Sequence, residues 1–443
     1  MSAMKLRGLL IAVVVLAILG GALYWSSHRK TPPTPASAAT PPILRVDPAS
    51  VTALTVTQKN APPVTLTRSA ADKWQITAPQ STLADANAVS GVLSNLDPLP
   101  SQRVIADKAT DLAPYGLQNP SVTIDITEKN NETLKILLGD DTPTGDAVYI
   151  SLAGKPRVFT AASYIKNSLN KSFDDLRDKR LLPIDTASVT TIDLDRKPQP
   201  VDFGRVQNGW QIQKPEPYRT DTFQVEDLLT QLTNAKMDTL TTPEAAAKAF
   251  AHATPVATAT ITGGSGTDTL EVRREKDDYY AKSSVLRGVY KVASTNSTAL
   301  SEALNRSLDD YRNKQLFGFG FADPDKIDVH SGSTSLTLTH AGTTWTSGGQ
   351  KMDTASAESL VSALRDLVAT KFATSGFTAP EIDVTVTYGG GKKTDHLQIQ
   401  RTKDGGIAKL NDGPSLYQLD AVTLNEFINA VKAVKPAAPA KKK

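Results

Sequence analysis

Apolar and polar residues follow three different rhythms along this chain, and each rhythm predicts a different element. Leu9 to Trp25 reads LLIAVVVLAILGGALYW, seventeen residues without a charge. As a helix it would be about 25 Å long, near the lower limit for crossing a bilayer core of about 30 Å. A second rhythm, apolar at i, i+3, i+4 and i+7, appears three times behind an aspartate. Val89, Val92, Leu93 and Leu96 follow Asp85; Val225, Leu228, Leu229 and Leu232 follow Asp221; Ala357, Leu360, Val361 and Leu364 follow Asp353. Each set is one face of a helix with Asp at or near the N-cap. The third rhythm, alternation or short apolar runs, predicts strands such as Val122–Ile126, Leu134–Leu138, Val256–Ile261 and Ile382–Tyr388. Further helices are read at 161–170, 296–308 and 421–434.

These elements recur. Trp74–Gln75–Ile76 returns as Trp210–Gln211–Ile212, with Pro79 returning as Pro215, and Trp345 opens a third, shorter copy. LNKSFDDLRDKRLL at 169–182 matches LNRSLDDYRNKQLF at 304–317 with an offset of 135, keeping Asp174/Asp309, Asp175/Asp310, Arg177/Arg312 and Lys179/Lys314. The predicted unit is strands, a helix, a meander of strands and a closing helix. Alternation with Gly or Asn at the turns indicates antiparallel hairpins with one face covered. The fold class expected is therefore α+β: an N-terminal transmembrane helix followed by tandem repeated units of antiparallel strands with packed helices. The expected layout is a transmembrane anchor at 1–30 and a Pro/Ala/Thr linker at 31–45. Repeat units follow at 46–182, 183–320 and, shortened, 321–436, with a basic tail at 437–443. Phe317–Gly318–Phe319–Gly320–Phe321 reads as a tight joint whose aromatics pack between units.

The flanks of the apolar segment sharpen its reading. Tyr24 and Trp25 stand where amphipathic rings favour a headgroup layer, and Lys5, Arg7, Arg29 and Lys30 bracket the run. The competing reading is a cleaved signal peptide, but bulky Leu23, Tyr24 and Trp25 follow Gly20–Gly21–Ala22, a poor place to cut. The prolines of the linker favour extended chain that would hold the body away from a bilayer. The expectation is a single-pass protein of a bacterial inner membrane with its C-terminal body in the periplasm.

Composition changes this picture little. The chain is 40% hydrophobic and 21% charged, as folded proteins are, and has no cysteine, which excludes disulfides and thiolate metal sites. Lys5, Arg7, Arg29, Lys30 and Lys441–Lys443 take seven of the 49 basic residues. That leaves 42 against 46 acids, a net of −4 for the body, with no electrostatic footprint for nucleic acid.

Candidate chemistry is sparse. His28, His252, His330, His340 and His396 show no metal-ligand spacing. Gly263–Gly264–Ser265–Gly266 and Gly389–Gly390–Gly391 lack the Lys–Ser/Thr of a phosphate loop and read as hairpin turns. Asp174–Asp175 and Asp309–Asp310 point about 100° apart on a helix, so they suit pairing with Arg177/Lys179 and Arg312/Lys314 better than acid–base work. Trp74, Trp210 and Trp345 are read as covering a core edge, with a glycan-stacking face as the alternative. No catalytic, cofactor-binding or metal-ligating residue is assigned, no cofactor is expected, and the chain is expected not to be an enzyme.

The W-Q-I strands, the Asp-led helices, Tyr115–Gly116–Leu117–Gln118–Asn119–Pro120 and the L-R-D-K-R-L-L junction at 176–182 together resemble the bacterial family called domain of unknown function 4340. The second unit departs from it, with Phe250–Ala251–His252–Ala253–Thr254–Pro255 in place of the Tyr–Gly–Leu element. The resemblance implies a membrane-anchored envelope protein beside ABC-transporter components of the gliding-motility type. It implies a scaffold or accessory role there, with a membrane or envelope protein as partner. The alternative is an extracytoplasmic glycan- or peptide-binding or hydrolytic module.

Overall fold

The computed structural model describes residues 41–439 except 208, 265 and 412. The chain divides between Lys179 and Arg180 into two compact units. The first unit is built on one antiparallel sheet of nine strands; the second contains a sheet of seven and another of nine. Helices pack on each sheet, so the body is α+β in tandem repeats.

The plan is the same each time. An N-terminal meander pairs through its first strand with the first strand of a second meander: Val51–Gln58 with Val122–Glu128, Val189–Arg196 with Thr254–Gly263, and Lys326–Ser331 with Ile382–Tyr388. The opening helix lies in the connection between the two meanders: Ala86–Ser94, Thr222–Asn234 and Thr354–Asp366. The closing helix follows the second meander, at Ser163–Leu169, Ser294–Asn305 and Ala421–Ala433. Asp85, Asp221 and Asp353 each accept backbone N–H bonds from the first turn of their helices, satisfying donors that a helix start leaves open. The apolar faces read from the sequence are buried in three separate cores, each containing one of the three tryptophans.

What closes each repeat is a set of backbone pairings outside the sheets. The segment leaving a repeat pairs with the segment just before its opening helix. Asp85 N donates to Leu176 O and Asp178 N to Leu83 O; Asp221 N donates to Tyr311 O and Asn313 N to Arg219 O; Asp353 N donates to Lys435 O and Ala437 N to Lys351 O. The segment arriving at a repeat pairs with the segment just after its opening helix. Ile43 N donates to Leu99 O, Leu181 N to Ala235 O, and Ala369 N to Lys314 O. The matched junctions at 176–181 and 311–315 therefore act as straps. Their first half completes one repeat, and their second half completes the next.

Several expectations change. Pro243–His252, not read as helical, is a helix with Thr242 as its N-cap and Pro243 in its first turn. It packs against the last strand of the seven-stranded sheet, at the end where the other two sheets add an edge strand, Arg103–Ala106 or Lys371–Ala373. The third repeat, read as shortened, nevertheless has a sheet of nine strands like the first. Phe317 and Phe319 are buried in the third core, whereas Phe321 is fully exposed, so these aromatics do not form a seam between repeats.

The membrane topology is also corrected. Among the described residues no helix is long and apolar enough to cross a membrane. The longest have 13 residues, about 20 Å against a hydrocarbon core of about 30 Å. Each also keeps a polar face. Leu9–Trp25, on which the transmembrane anchor rested, lies outside the described residues, as do most of the linker and the lysines of the tail. A single-pass inner-membrane protein with a periplasmic body is therefore not supported by the structure.

Residue burial on the second opening helix gives a direct check. Leu229 is 1% exposed and Phe223 is 75% exposed. Leu229→Ala is expected to lower unfolding free energy by about 2 to 5 kcal/mol, and Phe223→Ala by under about 0.5 kcal/mol. Urea denaturation followed by tryptophan fluorescence measures both, and equal effects would contradict the packing described.

Candidate functional site

Most residues with chemical potential are engaged in holding the fold. Asp174 pairs with Arg177 and Asp309 with Arg312, each at 2.8 Å. Asp175 and Asp310 instead complete capping boxes with Ser172 and Ser307. Burial pushes the Asp175 carboxyl up, but hydrogen bonds from the Ser172 hydroxyl and amide outweigh it and hold the group below its ordinary range. Each adjacent pair is therefore split between two structural tasks.

The tryptophans occupy equivalent strands and face equivalent neighbours. Trp74 lies opposite Arg68, Trp210 opposite Arg205 and Trp345 opposite His340. The Arg205 guanidinium sits 4.6 Å from the Trp210 ring, and the His340 ring stacks on Trp345 at 4.3 Å. Trp210 Nε1 donates to Glu226 Oε1 at 2.7 Å. All three rings are buried, so the alternative of a glycan-stacking face is not what they form.

The remaining motifs are local. His396 Nε2 is 2.8 Å from Asp383 Oδ2. Among the described residues no group of three His, Cys, Asp or Glu could hold a metal ion. Gly263 and Gly266 face each other across a hairpin, and Gly389, Gly390 and Gly391 all have positive φ between two strands. Tyr115–Gly116 is wedged against the strand Thr133–Asp141. A Cβ on Gly139 would lie 2.1 Å from Tyr115 O, which accounts for the Tyr–Gly–Leu element as a packing lock.

The structure brings together a set of residues that sequence spacing did not reveal. Within the 180–443 unit, a cleft of about 580 Å3 opens where the second repeat meets the turn Leu410–Leu416 of the third. Gln211, Tyr218, Arg219 and Asn313 line it from the second repeat and its strap; Asn411 and Tyr417 line it from the third. Beneath it lies Arg312. Its Nη1 donates to Asp309 Oδ1 and its Nη2 to Ser415 Oγ, both at 2.8 Å. Its guanidinium is sandwiched 4.2 Å from the Tyr218 ring and 3.5 Å from the Phe372 ring. One side chain thus touches both repeats, fixing the base of the cleft.

The walls are equally tied down. Thr220 Oγ1 accepts from Ile212 N at 2.7 Å, and Thr222 Oγ1 from Trp210 N at 3.4 Å, so threonine hydroxyls cap the outer strand of the seven-stranded sheet. Arg219 Nη1 donates to Gln315 O at 2.8 Å. Burial raises the Tyr218 hydroxyl above its usual pKa, helped by its bond to Glu216. On the third-repeat side Asp395 is buried and accepts from Gly318 N at 2.7 Å and from Asn411 Nδ2 at 3.2 Å. The cleft offers amides, a guanidinium and aromatic faces. Among the described residues no histidine lines it, and the hydroxyls of Tyr218, Thr220, Thr222 and Ser415 are engaged by Glu216, by backbone amides and by Arg312.

The chain belongs to the family described as Domain of unknown function (DUF4340), whose model matches residues 74–211 and again 210–389, more than half of the chain. Comparison with curated proteins gave no match. The first match begins at the W-Q-I strand of the first repeat, and the second begins at that of the second. The family supplies no activity to transfer. The envelope description that accompanied the resemblance is corrected by the absence of any membrane-spanning helix among the described residues. With it go the scaffold role at a membrane and the ABC-transporter partner, which rested on that anchoring. The glycan- or peptide-binding or hydrolytic alternative has no support among the described residues either, where the three rings are buried.

Arg312 can be tested directly. Arg312→Ala is expected to lower the unfolding free energy of the 180–443 unit by about 2 kcal/mol or more, because it removes a desolvated guanidinium from two rings and two hydrogen bonds. Arg312→Lys, which keeps the charge and loses the planar fork, should recover only part of this. Hydrogen exchange near Phe372 and Ser415 should rise in both variants. A loss no greater than that of Arg274→Ala, an exposed-pair arginine, would show the sandwich to be incidental.

Proposed function

We propose that this chain is a non-enzymatic binding protein whose ligand site is the cleft between the second and third repeats, and whose ligand is a small polar molecule. The observation that carries the reading is the sandwiched Arg312 beneath a cleft of about 580 Å3. That volume falls within the roughly 300–1,000 Å3 range of ligand sites. A floor already fixed in the free protein lowers the entropic cost of binding. The lining supports a ligand that both donates and accepts: Gln211, Asn313 and Asn411 offer amides, and Tyr218 offers a ring edge. The non-enzymatic part is supported by how the reactive side chains are engaged. The aspartate pairs serve caps and ion pairs, and the tryptophans serve cores. In this reading the second and third repeats, which meet near 320, are scaffolding for the cleft between them.

Fragment screening of the full chain tests it. Small polar amides and carboxylic acids should cluster at Tyr218 and Asn411, as chemical-shift changes there. Gln211→Trp, which fills the cleft from an exposed strand position, should weaken those hits at least tenfold and leave the thermal midpoint unchanged. Hits scattered over the surface, or unaffected by the tryptophan, would remove the cleft from consideration.

A further inference from the structure

A second opening in the 180–443 unit is distinct from the cleft and has a different character. It is a pocket of about 350 Å3 between the turn after Val189–Arg196 and the link from the closing helix to the strap. Arg196, Lys197, Gln199, Asn305 and Ser307 line it, together with Asp309. Arg196 is half-buried, and its Nε–H is buried with no hydrogen-bond partner. Its Nη1 donates to Leu304 O at 3.4 Å. Among the described residues no carboxylate forms an ion pair with Arg196 or Lys197. The acids nearby are already engaged: Asp309 by Arg312 at 2.8 Å and Asp310 by Ser307. A buried guanidinium is ordinarily compensated by a carboxylate or an anion, because leaving the charge unpaired is costly.

The first repeat shows what this corner looks like when it is closed. Gln58 ends the strand Val51–Gln58 as Arg196 ends Val189–Arg196, and Asn170 stands in the Leu–Asn pair that matches Leu304–Asn305. There Gln58 Nε2 donates to Asn170 Oδ1 at 2.6 Å, so a neutral amide pair fills the corner. In the second repeat Asn305 keeps its place, but its side chain turns back to the Ser301 carbonyl at 2.8 Å. The corner is left to two cations and a space.

We infer that the Arg196–Lys197 pocket is an oxyanion site, accepting a phosphate or carboxylate group of a ligand. The guanidinium provides a planar fork suited to two oxygens, Lys197 provides a second charge, and Gln199 provides an amide donor at the rim. Burial alone pushes the Arg196 guanidinium pKa down, with Asp310 and Tyr311 opposing it only in part, which is the strain that a bound anion would relieve. The site does not depend on the cleft beneath which Arg312 lies.

The test uses the full chain and inorganic phosphate, titrated at constant ionic strength against chloride and followed by calorimetry and 31P line width. Saturable binding is expected, weakened at least tenfold in Arg196→Gln. That substitution reproduces the Gln58 arrangement, so its thermal midpoint should equal or exceed the parent's, which separates loss of the site from loss of fold. Arg196→Lys should retain part of the affinity. Acetate added in competition distinguishes the chemical source: displacement of phosphate assigns the pocket to oxyanions in general, and no displacement assigns it to phosphoryl groups. Absence of saturable binding, or equal binding by Arg196→Gln, would overturn the inference and leave Arg196 as a packing residue.

Discussion

The structure depends on a constraint of chain continuity: the segment that finishes one repeat must also begin the next. Leu176–Asp178 and Tyr311–Asn313 complete one repeat by pairing in front of its opening helix. Arg180–Leu181 and Lys314–Gln315, only a few residues on, then pair behind the opening helix of the following repeat. Neither half can slip without breaking hydrogen bonds in the other. Buried backbone donors that lose their partners cost more than a single hydrogen bond contributes, so register is enforced at both ends. This explains why the junction, rather than any strand or helix, is the most closely matched segment of the two repeats. Its sequence answers to two neighbourhoods at once.

The same constraint determines where open surface can occur. Each sheet is covered by helices on its core face, and several edges are capped, by straps, by threonine hydroxyls as at Ile212, or by a helix as at Pro243–His252. Capping of this kind removes the free strand edges that invite pairing with other chains. Openings can then form where the strap leaves a repeat and does not fill the angle it turns through. Both the cleft above Arg312 and the pocket beside Arg196 are of this kind, one lined by Asn313 and the other by Ser307 and Asp309.

How much of this was legible in the sequence follows from the range of each interaction. The opening helices and their aspartate caps were readable because periodicity and capping act over a few residues. So were most strands, since alternation is a local signature of one buried face. Pro243–His252 was missed because its alanines give only a weak apolar stripe, although Thr242–Pro243–Glu244 carried a start signal. The straps were visible as a repeat but not as strands, because their partners lie up to about a hundred residues away and their residues do not alternate. Arg312 was singled out as a partner for the adjacent aspartates, yet its sandwich needs Tyr218, Phe372 and Ser415, from three segments that nothing in the sequence brings together. Phe317 and Phe319 were placed between repeats when they serve one core, because a run of aromatics does not state which side it faces.

Comparison of equivalent positions supplies what single positions cannot. Arg177 and Arg312 share a motif and both pair with the aspartate three residues before them. Among the described residues the one ring near the Arg177 guanidinium is Phe173, 5.3 Å away, whereas Arg312 has two closer rings and Ser415. Gln58 and Arg196 likewise share a strand end, but one is satisfied by a neighbouring amide and the other is not. A duplicated fold keeps its backbone solution in every copy, since the strap forces it to. Side chains at equivalent corners are free to differ once the backbone no longer depends on them. Where one copy holds a neutral, satisfied pair and another holds an uncompensated charge, the fold alone does not require the charge, and a ligand is the simplest physical reason to retain it.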